Sequence, residues 1–268
     1  MEKKLKSWQG WLLFGGTMVV VFVLGMIAAS VNERHAEVTS VMNNRKTEIT
    51  GIEARNDKFE PNYPREYQTW EATADTSFKS LYNGNQAVDV LEARPEMVIL
   101  WAGYAFSKDY STPRGHMHAI EDMRNTLRVG APMTENEGPQ PATCWTCKSP
   151  DVPRMMQAMG VDNFYKGKWA SLGKEIMNPI GCADCHEPEN MNLHISRPAL
   201  IEAFQRQGKD ITKATQQEMR SLVCAQCHVE YYFKGDGKYL TFPWDKGSTV
   251  EDMEAYYCLL YTSDAADE

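Results

Sequence analysis

Residues 142–151 read ATCWTCKSPD, a stretch in which Cys144 and Cys147 are separated by two residues and followed directly by Lys148. The same spacing recurs further along the chain, in GCADCHEP and VCAQCHVEYY. In these two copies a histidine replaces the lysine: His186 and His228. The chain therefore holds one Cys-x-x-Cys-Lys motif and two Cys-x-x-Cys-His motifs, numbered here first, second and third in chain order.

Cys-x-x-Cys-His is the attachment signature of c-type haem. On a short helix, residues three and four positions apart share a face, so both sulfurs reach the porphyrin edge and the histidine lies at the iron. Six of the seven cysteines fall in such pairs, which indicates one chemistry used three times. The residues predicted to attach haem are Cys144, Cys147, Cys182, Cys185, His186, Cys224, Cys227 and His228.

Three other uses of paired cysteines remain open at this point. Zinc sites also use Cys-x-x-Cys, but an even number of pairs is then expected. Thioredoxin-like redox centres require a βαβ context, which the sequence lacks. Structural disulfides are compatible with an exported chain, yet they give no reason for the two histidines.

Lys148 marks the first motif as different in function. A lysine amine binds iron only in its neutral form. Electron-transfer haems usually have two strong protein ligands, so an unusual ligand indicates a haem with an open position where substrate binds. The alternative is a chance variant of Cys-x-x-Cys-His.

The composition narrows the class of protein. The 268 residues carry a net charge of −8 and are 43% hydrophobic, which argues against a nucleic-acid binder and against disorder. An acidic protein repels anions overall, so an anionic substrate would need a local cluster of positive charge.

The N-terminus carries a hydrophobic segment. Lysines at positions 3, 4 and 6 precede 21 uncharged, mostly apolar residues, Trp11 to Val31. A bilayer-spanning helix needs about 20 residues, whereas the apolar core of a signal peptide has about 7–15. We expect a membrane anchor with the lysines inside, a cleaved signal peptide being the alternative, and an exported body in either case.

The rest of the chain reads as mainly α with long loops. TKATQQEMRSLVCAQCH predicts a helix that runs into the third motif, and no stretch alternates convincingly as a strand. A body with so little regular sheet is expected to pack around large flat cofactors. We divide the chain into an anchor or signal peptide (1–31), a multihaem domain (32–257) and a tail (258–268) that contains Cys258, the cysteine outside the three motifs.

The motifs, together with PRGHMHAIEDMRNTLRVGAP and FPWDKGSTVEDMEAYY, resemble ammonia-forming cytochrome c nitrite reductase, a periplasmic enzyme with five haems. The resemblance runs from about residue 60 to Tyr257. It implies that Lys148 serves the catalytic haem and that His116 is the distal ligand of the third haem. It also implies active-site roles for Arg128 and Tyr231, and a calcium ion held by the Glu230 side chain and the Tyr231 carbonyl.

The resemblance further implies the cofactors, partners and location. Haem c and calcium are the expected cofactors, and nitrite is the expected substrate. The expected electron donor is a quinol-linked multihaem protein of the membrane. The protein is expected to be a homodimer in the periplasm. The family continues after Tyr257 with two more haem motifs, so we interpret the chain as an N-terminal fragment with an unrelated last eleven residues. An electron-transfer cytochrome without a substrate, and enzymes acting on hydroxylamine or sulfite, are the alternatives.

Overall fold

The computed structural model describes residues 7–43, 45–79, 81, 85–127 and 140–264. They fall into two units, Met1–Thr47 and Glu48–Glu268. The first unit consists of helix α1, Ser7–Asn43. Within the described part, this is one helix whose length and apolar composition suit a membrane span, with a mean hydropathy of 2.4 over its most apolar window.

Helix α1 confirms the predicted N-terminal hydrophobic helix and extends beyond it. The helix continues past Val31 to Asn43, since no proline or glycine follows Gly25 within it.

The second unit is mainly α, as predicted. Its helices are short and joined by loops and 3-10 turns: α2 Pro64–Glu71, α3 Val90–Ala93, α4 Glu96–Leu100, α5 Ala119–Asn125, α6 Asp151–Met159, α7 Val161–Lys166, α8 Trp169–Leu172, α9 Cys182–Cys185, α10 Pro198–Arg206, α11 Gln216–Ala225 and α12 Val250–Asp264.

A small hairpin is the one sheet among the described residues. Strands β1, Tyr232–Lys234, and β2, Tyr239–Thr241, pair in antiparallel register with Phe233 opposite Leu240. We expected no strand here, because three residues are too few for an alternating pattern to be recognised. The hairpin turn contacts the first motif, where the Thr143 hydroxyl donates a hydrogen bond of 2.6 Å to the Lys238 carbonyl.

The core of this unit is built around the first motif. Trp145 is fully buried and stacks on Trp169, with ring centroids 4.6 Å apart and planes 12° apart. The indole of Trp145 also donates a 3.0 Å hydrogen bond to the Trp169 carbonyl. Helices α6, α7 and α10 supply the surrounding buried side chains, among them Val152, Phe164 and Leu200. The first motif is therefore held by apolar packing as well as by hydrogen bonds.

The second motif is held from the N-terminal side of the unit. Asn56 accepts a 3.0 Å hydrogen bond from the Cys182 amide and donates one of 3.1 Å to the Pro179 carbonyl. Trp70 donates to the Ile180 carbonyl at 2.8 Å. Gly181 permits this approach, because a Cβ on it would lie 1.8 Å from the Asn56 oxygen.

Helix α11 leads into the third motif, as predicted. Thr215 and Glu218 form a reciprocal capping box at its start, in which the Thr215 amide donates to the Glu218 carboxylate at 2.8 Å. The helix contains Cys224 and ends at Ala225, so the third motif begins in the last turn of a helix whose start is fixed by this cap.

Candidate functional site

All three motifs contribute to one cavity of about 620 Å³. This volume lies within the range of roughly 300–1,000 Å³ that is usual for ligand sites. Besides His116 from the loop before α5, its wall includes these motif residues: Cys147, Lys148, Cys185, Cys224, Cys227 and His228.

Lys148 reaches the cavity from the end of a tight turn. The first motif begins in a 3-10 turn, Ala142–Trp145, and the Lys148 amide donates a 2.9 Å hydrogen bond to the Trp145 carbonyl. Because Trp145 is anchored in the core, the lysine backbone is fixed relative to the cysteine pair. Its side chain is half-buried in the cavity wall.

His116 and His228 face each other across this cavity. Their ring centroids lie 6.3 Å apart, with planes inclined by 37°. Desolvation, followed by the positive charges of His228 and Lys148, lowers the pKa of His116. A neutral imidazole is the form that binds a metal, so the surroundings of His116 favour a ligand role.

The neighbouring His118 is differently placed. Its Nε2 lies 3.0 Å from the Ala74 carbonyl and its Nδ1 lies 3.2 Å from the Glu121 carboxylate. Both nitrogens therefore face acceptors, and this ring is used to hold the loop. The same loop is fastened by Arg114, whose Nε donates to the two carboxylate oxygens of Asp122 at 3.0 and 3.1 Å. The hydrogen bonds to Asp122 raise the pKa of Arg114.

His186 lies outside the cavity wall, but its ring is oriented. Its Nδ1 is 2.7 Å from the carbonyl of Met191. A carbonyl only accepts, so Nδ1 carries the proton and Nε2 of the neutral ring has a free lone pair. Met191 has a left-handed backbone, with φ of 60°, and this conformation turns its carbonyl towards the ring. This arrangement suits an iron ligand.

None of the seven cysteines, all of which lie in the described part of the chain, forms a disulfide. Cys147 and Cys227, from the first and third motifs, are in hydrogen-bond contact. This contact and the charge of Lys148 lower the pKa of Cys147 to about 7, while the pKa of Cys227 is raised. Burial raises the pKa of Cys185 to about 12 and that of Cys182 to about 11.

Two further residues suggested by the resemblance, Tyr231 and Glu230, do not line this cavity. Tyr231 is 46% exposed and stacks on Phe233, with centroids 5.7 Å apart. Glu230 is exposed and accepts a 3.1 Å hydrogen bond from Tyr257. Across the described ranges, no group of three or more His, Cys, Asp or Glu side chains is arranged to hold a metal ion. Arg128 lies outside the described residues.

A buried arginine that the sequence did not reveal connects the motifs. Arg197 is 1% exposed and pairs with Asp184, which lies between the cysteines of the second motif. In the sequence Arg197 reads as an ordinary residue before a helix-starting proline. The only signal for its partner was a charged residue inside the Cys-x-x-Cys spacing.

The family model of cytochrome c552 matches residues 55–265. The chain belongs to this family. It is 99% identical over 257 residues to cytochrome c-552 of Parabacteroides distasonis, covering 96% of this chain and 52% of the relative. Identity to cytochrome c-552 of Bacteroides thetaiotaomicron is 78%, with the same coverage. The chain thus spans about half the length of the curated relatives it matches.

A solved structure agrees with this assignment. The fold matches that of cytochrome c nitrite reductase from Desulfovibrio desulfuricans ATCC 27774, a catalytic subunit described with two calcium sites. The TM-score is 0.72 at 33% identity, over 79% of this chain and 48% of the other. The resemblance predicted from the motifs is confirmed at the level of the family.

The residues present fit the haem c of a c-type cytochrome. None of the six motif cysteines is in a disulfide, the Nδ1 of His186 faces the Met191 carbonyl and leaves Nε2 to bind a metal, and the rings of His116 and His228 lie 6.3 Å apart, a spacing that suits two ligands of one metal. The zinc interpretation is less well supported, because the three pairs are not gathered as four-thiolate sets.

Proposed function

We propose that the full-length cytochrome c552 reduces nitrite to ammonia at the first motif. One observation carries the proposal: Lys148 lines the same cavity as the facing pair His116 and His228. The motif with lysine in place of histidine is thereby adjacent to a motif whose His228 faces a second histidine, His116, as a substrate site and its electron supply would be. The net reaction consumes nitrite, six electrons and eight protons, and yields ammonium and two water molecules.

Haem, when bound, supplies the redox-active iron at which nitrite is reduced and through which electrons arrive. Lys148, through its neutral amine, would be the protein ligand of the first haem, and nitrite would be reduced at that haem. His228 and His116 would both bind the iron of the third haem, and His186 would bind the iron of the second. Two strong ligands keep substrate away, which suits a haem that only transfers electrons.

Arg128 and Tyr231 are proposed as the groups that handle the anion. A guanidinium is permanently charged and grips two oxygens, and a phenol donates a proton or a hydrogen bond. Glu230 and the Tyr231 carbonyl are proposed as oxygen ligands of a calcium ion. The two calcium sites named for the nitrite reductase of Desulfovibrio desulfuricans support the presence of calcium, and the choice of these two residues rests on the sequence resemblance.

The location and partners belong to the same proposal. Helix α1 is long and apolar enough to serve as a membrane anchor or a signal sequence, and we propose a periplasmic body. The proposed electron donor is a quinol-linked multihaem protein of the membrane, and the proposed assembly is a homodimer with five haems in each full-length subunit.

The direct test uses the full-length protein produced with the machinery for c-type haem attachment. Mass spectrometry of tryptic peptides would count haems on each motif, and assays with a reduced dye would follow nitrite loss and ammonium formation. We expect one ammonium for six dye electrons. A fully haem-loaded protein that leaves nitrite untouched would instead favour the electron-transfer cytochrome.

A further inference from the structure

Arg197 touches all three motif segments at once. Its Nε donates a 2.8 Å hydrogen bond to the carbonyl of Thr146, and its Nη2 donates one of 2.8 Å to that of Ser149. These two carbonyls bracket Cys147 and Lys148 in the first motif. The same Nη2 donates to the carboxylate of Asp184 in the second motif.

Gln226 extends the contact to the third motif. Its side-chain oxygen accepts hydrogen bonds from the Arg197 amide at 3.2 Å and the Ser196 amide at 3.1 Å. Its side-chain nitrogen donates to the Asp184 carbonyl at 2.6 Å. Arg197 and Gln226 are each 1% exposed, so water does not compete for these hydrogen bonds.

The participating residues occupy one equivalent position. Thr146, Asp184 and Gln226 are each the residue immediately before the second cysteine of their motif. Each motif therefore contacts the network through the position next to the sulfur that a haem would bind. Folding stability alone does not require that the three motifs use the same position, because buried hydrogen bonds from other positions would also stabilise the unit.

We propose that Arg197 is a positioning residue that fixes the three haem-attachment segments relative to one another. This inference rests on the proposal that the three motifs carry haem. The planar guanidinium directs its donors to the first and second motifs in fixed directions, and the backbone amide of the same residue donates to Gln226 of the third. Three segments distant in sequence are thereby held by hydrogen bonds to one residue. The relative positions of the three attachment segments would set the distances and angles between the attached haems. The same hydrogen-bonded residues would contribute to the electrostatic environment that tunes the haem potentials.

The test compares Arg197→Lys with Arg206→Lys in the full-length protein. Lysine keeps the positive charge but lacks the planar set of N–H donors that a guanidinium has. Arg206 is a matched control at the other end of α10, the helix that Arg197 immediately precedes. It also pairs with an aspartate, Asp245, and donates to a carbonyl, that of Phe242 at 2.7 Å, away from the motifs. Haem occupancy, the electron paramagnetic resonance spectrum and the redox titration are measured for each.

At full haem occupancy, we expect Arg197→Lys to shift the resonance signals and midpoint potentials of at least two haems, and Arg206→Lys to match the unsubstituted protein. Unshifted signals in Arg197→Lys would overturn the inference and leave the proposed function intact. Missing haem on the motifs of the unsubstituted protein would overturn both.

A second pair of variants decides the matter if Arg197→Lys is not recovered. Gln226→Met removes the side-chain hydrogen bonds of Gln226 to Ser196, Arg197 and Asp184 with little change of volume. Gln207→Met is its control, because Gln207 donates a 2.7 Å hydrogen bond to the Trp244 carbonyl, distant from the motifs. We expect shifted signals of the second or third haem in Gln226→Met alone, and unchanged signals there would overturn the inference.

Discussion

The imidazole rings of His116 and His228 stand opposite each other with centroids 6.3 Å apart, at the two sides of one cavity. Two imidazoles that bind one metal from opposite sides, each at about 2.0–2.1 Å, place their ring centroids about 6 Å apart. The protein fold alone therefore holds the spacing that a six-coordinate iron would need. His116 comes from the loop before α5 and His228 follows α11, so two separately anchored elements set this distance.

His116→Ala should convert one haem of the full-length protein from low-spin to high-spin, because the third haem would lose an axial ligand. The optical and electron paramagnetic resonance spectra measure the change. His118→Ala is the matched control, since His118 only holds the loop through Ala74 and Glu121. It should keep the spectrum and lose about 1–3 kcal/mol of stability from two hydrogen bonds. An unchanged spectrum in His116→Ala would remove this residue from the ligand set.

Lys148→His in the full-length protein should keep haem on the first motif and lower nitrite turnover. Attachment needs the two sulfurs and a nearby ligand, and a histidine serves in the other two motifs. An imidazole accepts electron density from iron whereas an amine does not, so the reactivity of the opposite position changes. Steady-state kinetics beside haem quantification measures the effect, which we expect in turnover more than in nitrite binding. Full turnover at full occupancy would show that the lysine is incidental.

Gly115→Ala should destabilise the loop that carries His116. A Cβ at this position would lie 2.2 Å from the Thr73 carbonyl oxygen, a backbone atom that cannot move aside. Forced overpacking of this kind costs about 1–3 kcal/mol, measurable by denaturant unfolding. Gly237→Ala is the control, because its Cβ would meet the Lys166 side chain at an ordinary 3.6 Å. Equal stability of the two variants would contradict the crowding argument.

The capping box of α11 should make stability depend on pH. Hydrogen bonds from Thr215 lower the pKa of Glu218 below its ordinary 4.5. A lowered carboxyl pKa contributes stability that is fully present above the unfolded value and lost as the pH falls through the folded value. Thermal unfolding should therefore place Glu218→Gln below the unsubstituted protein near neutral pH, with the gap closing in acid. Gln217→Ala, on the same turn, should show no such pH-dependent gap.

The chemistry of this chain could be predicted from its sequence because it rests on local spacing. Cys-x-x-Cys-His and Cys-x-x-Cys-Lys are complete within five residues, and the helix that carries Cys224 has a clear cap at Thr215. The mainly α class followed from the same local signals. The family resemblance also pointed to His116, and the structure places this residue opposite His228.

The connections between motifs could not be predicted, because they join residues far apart in the chain. Nothing near Arg197 in the sequence indicates that Thr146, Asp184 and Gln226 are its surroundings. A lone arginine is usually a surface residue, and only packing decides otherwise. The β1–β2 hairpin was missed for a related reason, since its pairing and not its composition defines it.

The position before each second cysteine carries a consequence for engineering. Thr146 meets Arg197 through its backbone carbonyl, whereas Asp184 uses a carboxylate and Gln226 a side-chain amide, and these two side chains cannot replace each other. The three haem-attachment segments are therefore not interchangeable modules, although their cysteine spacing is identical. Transplanting the loop of one motif into the place of another would preserve the attachment chemistry and break the shared frame. A design that moves a Cys-x-x-Cys motif to a new place should therefore also move the buried partners of the residue before its second cysteine.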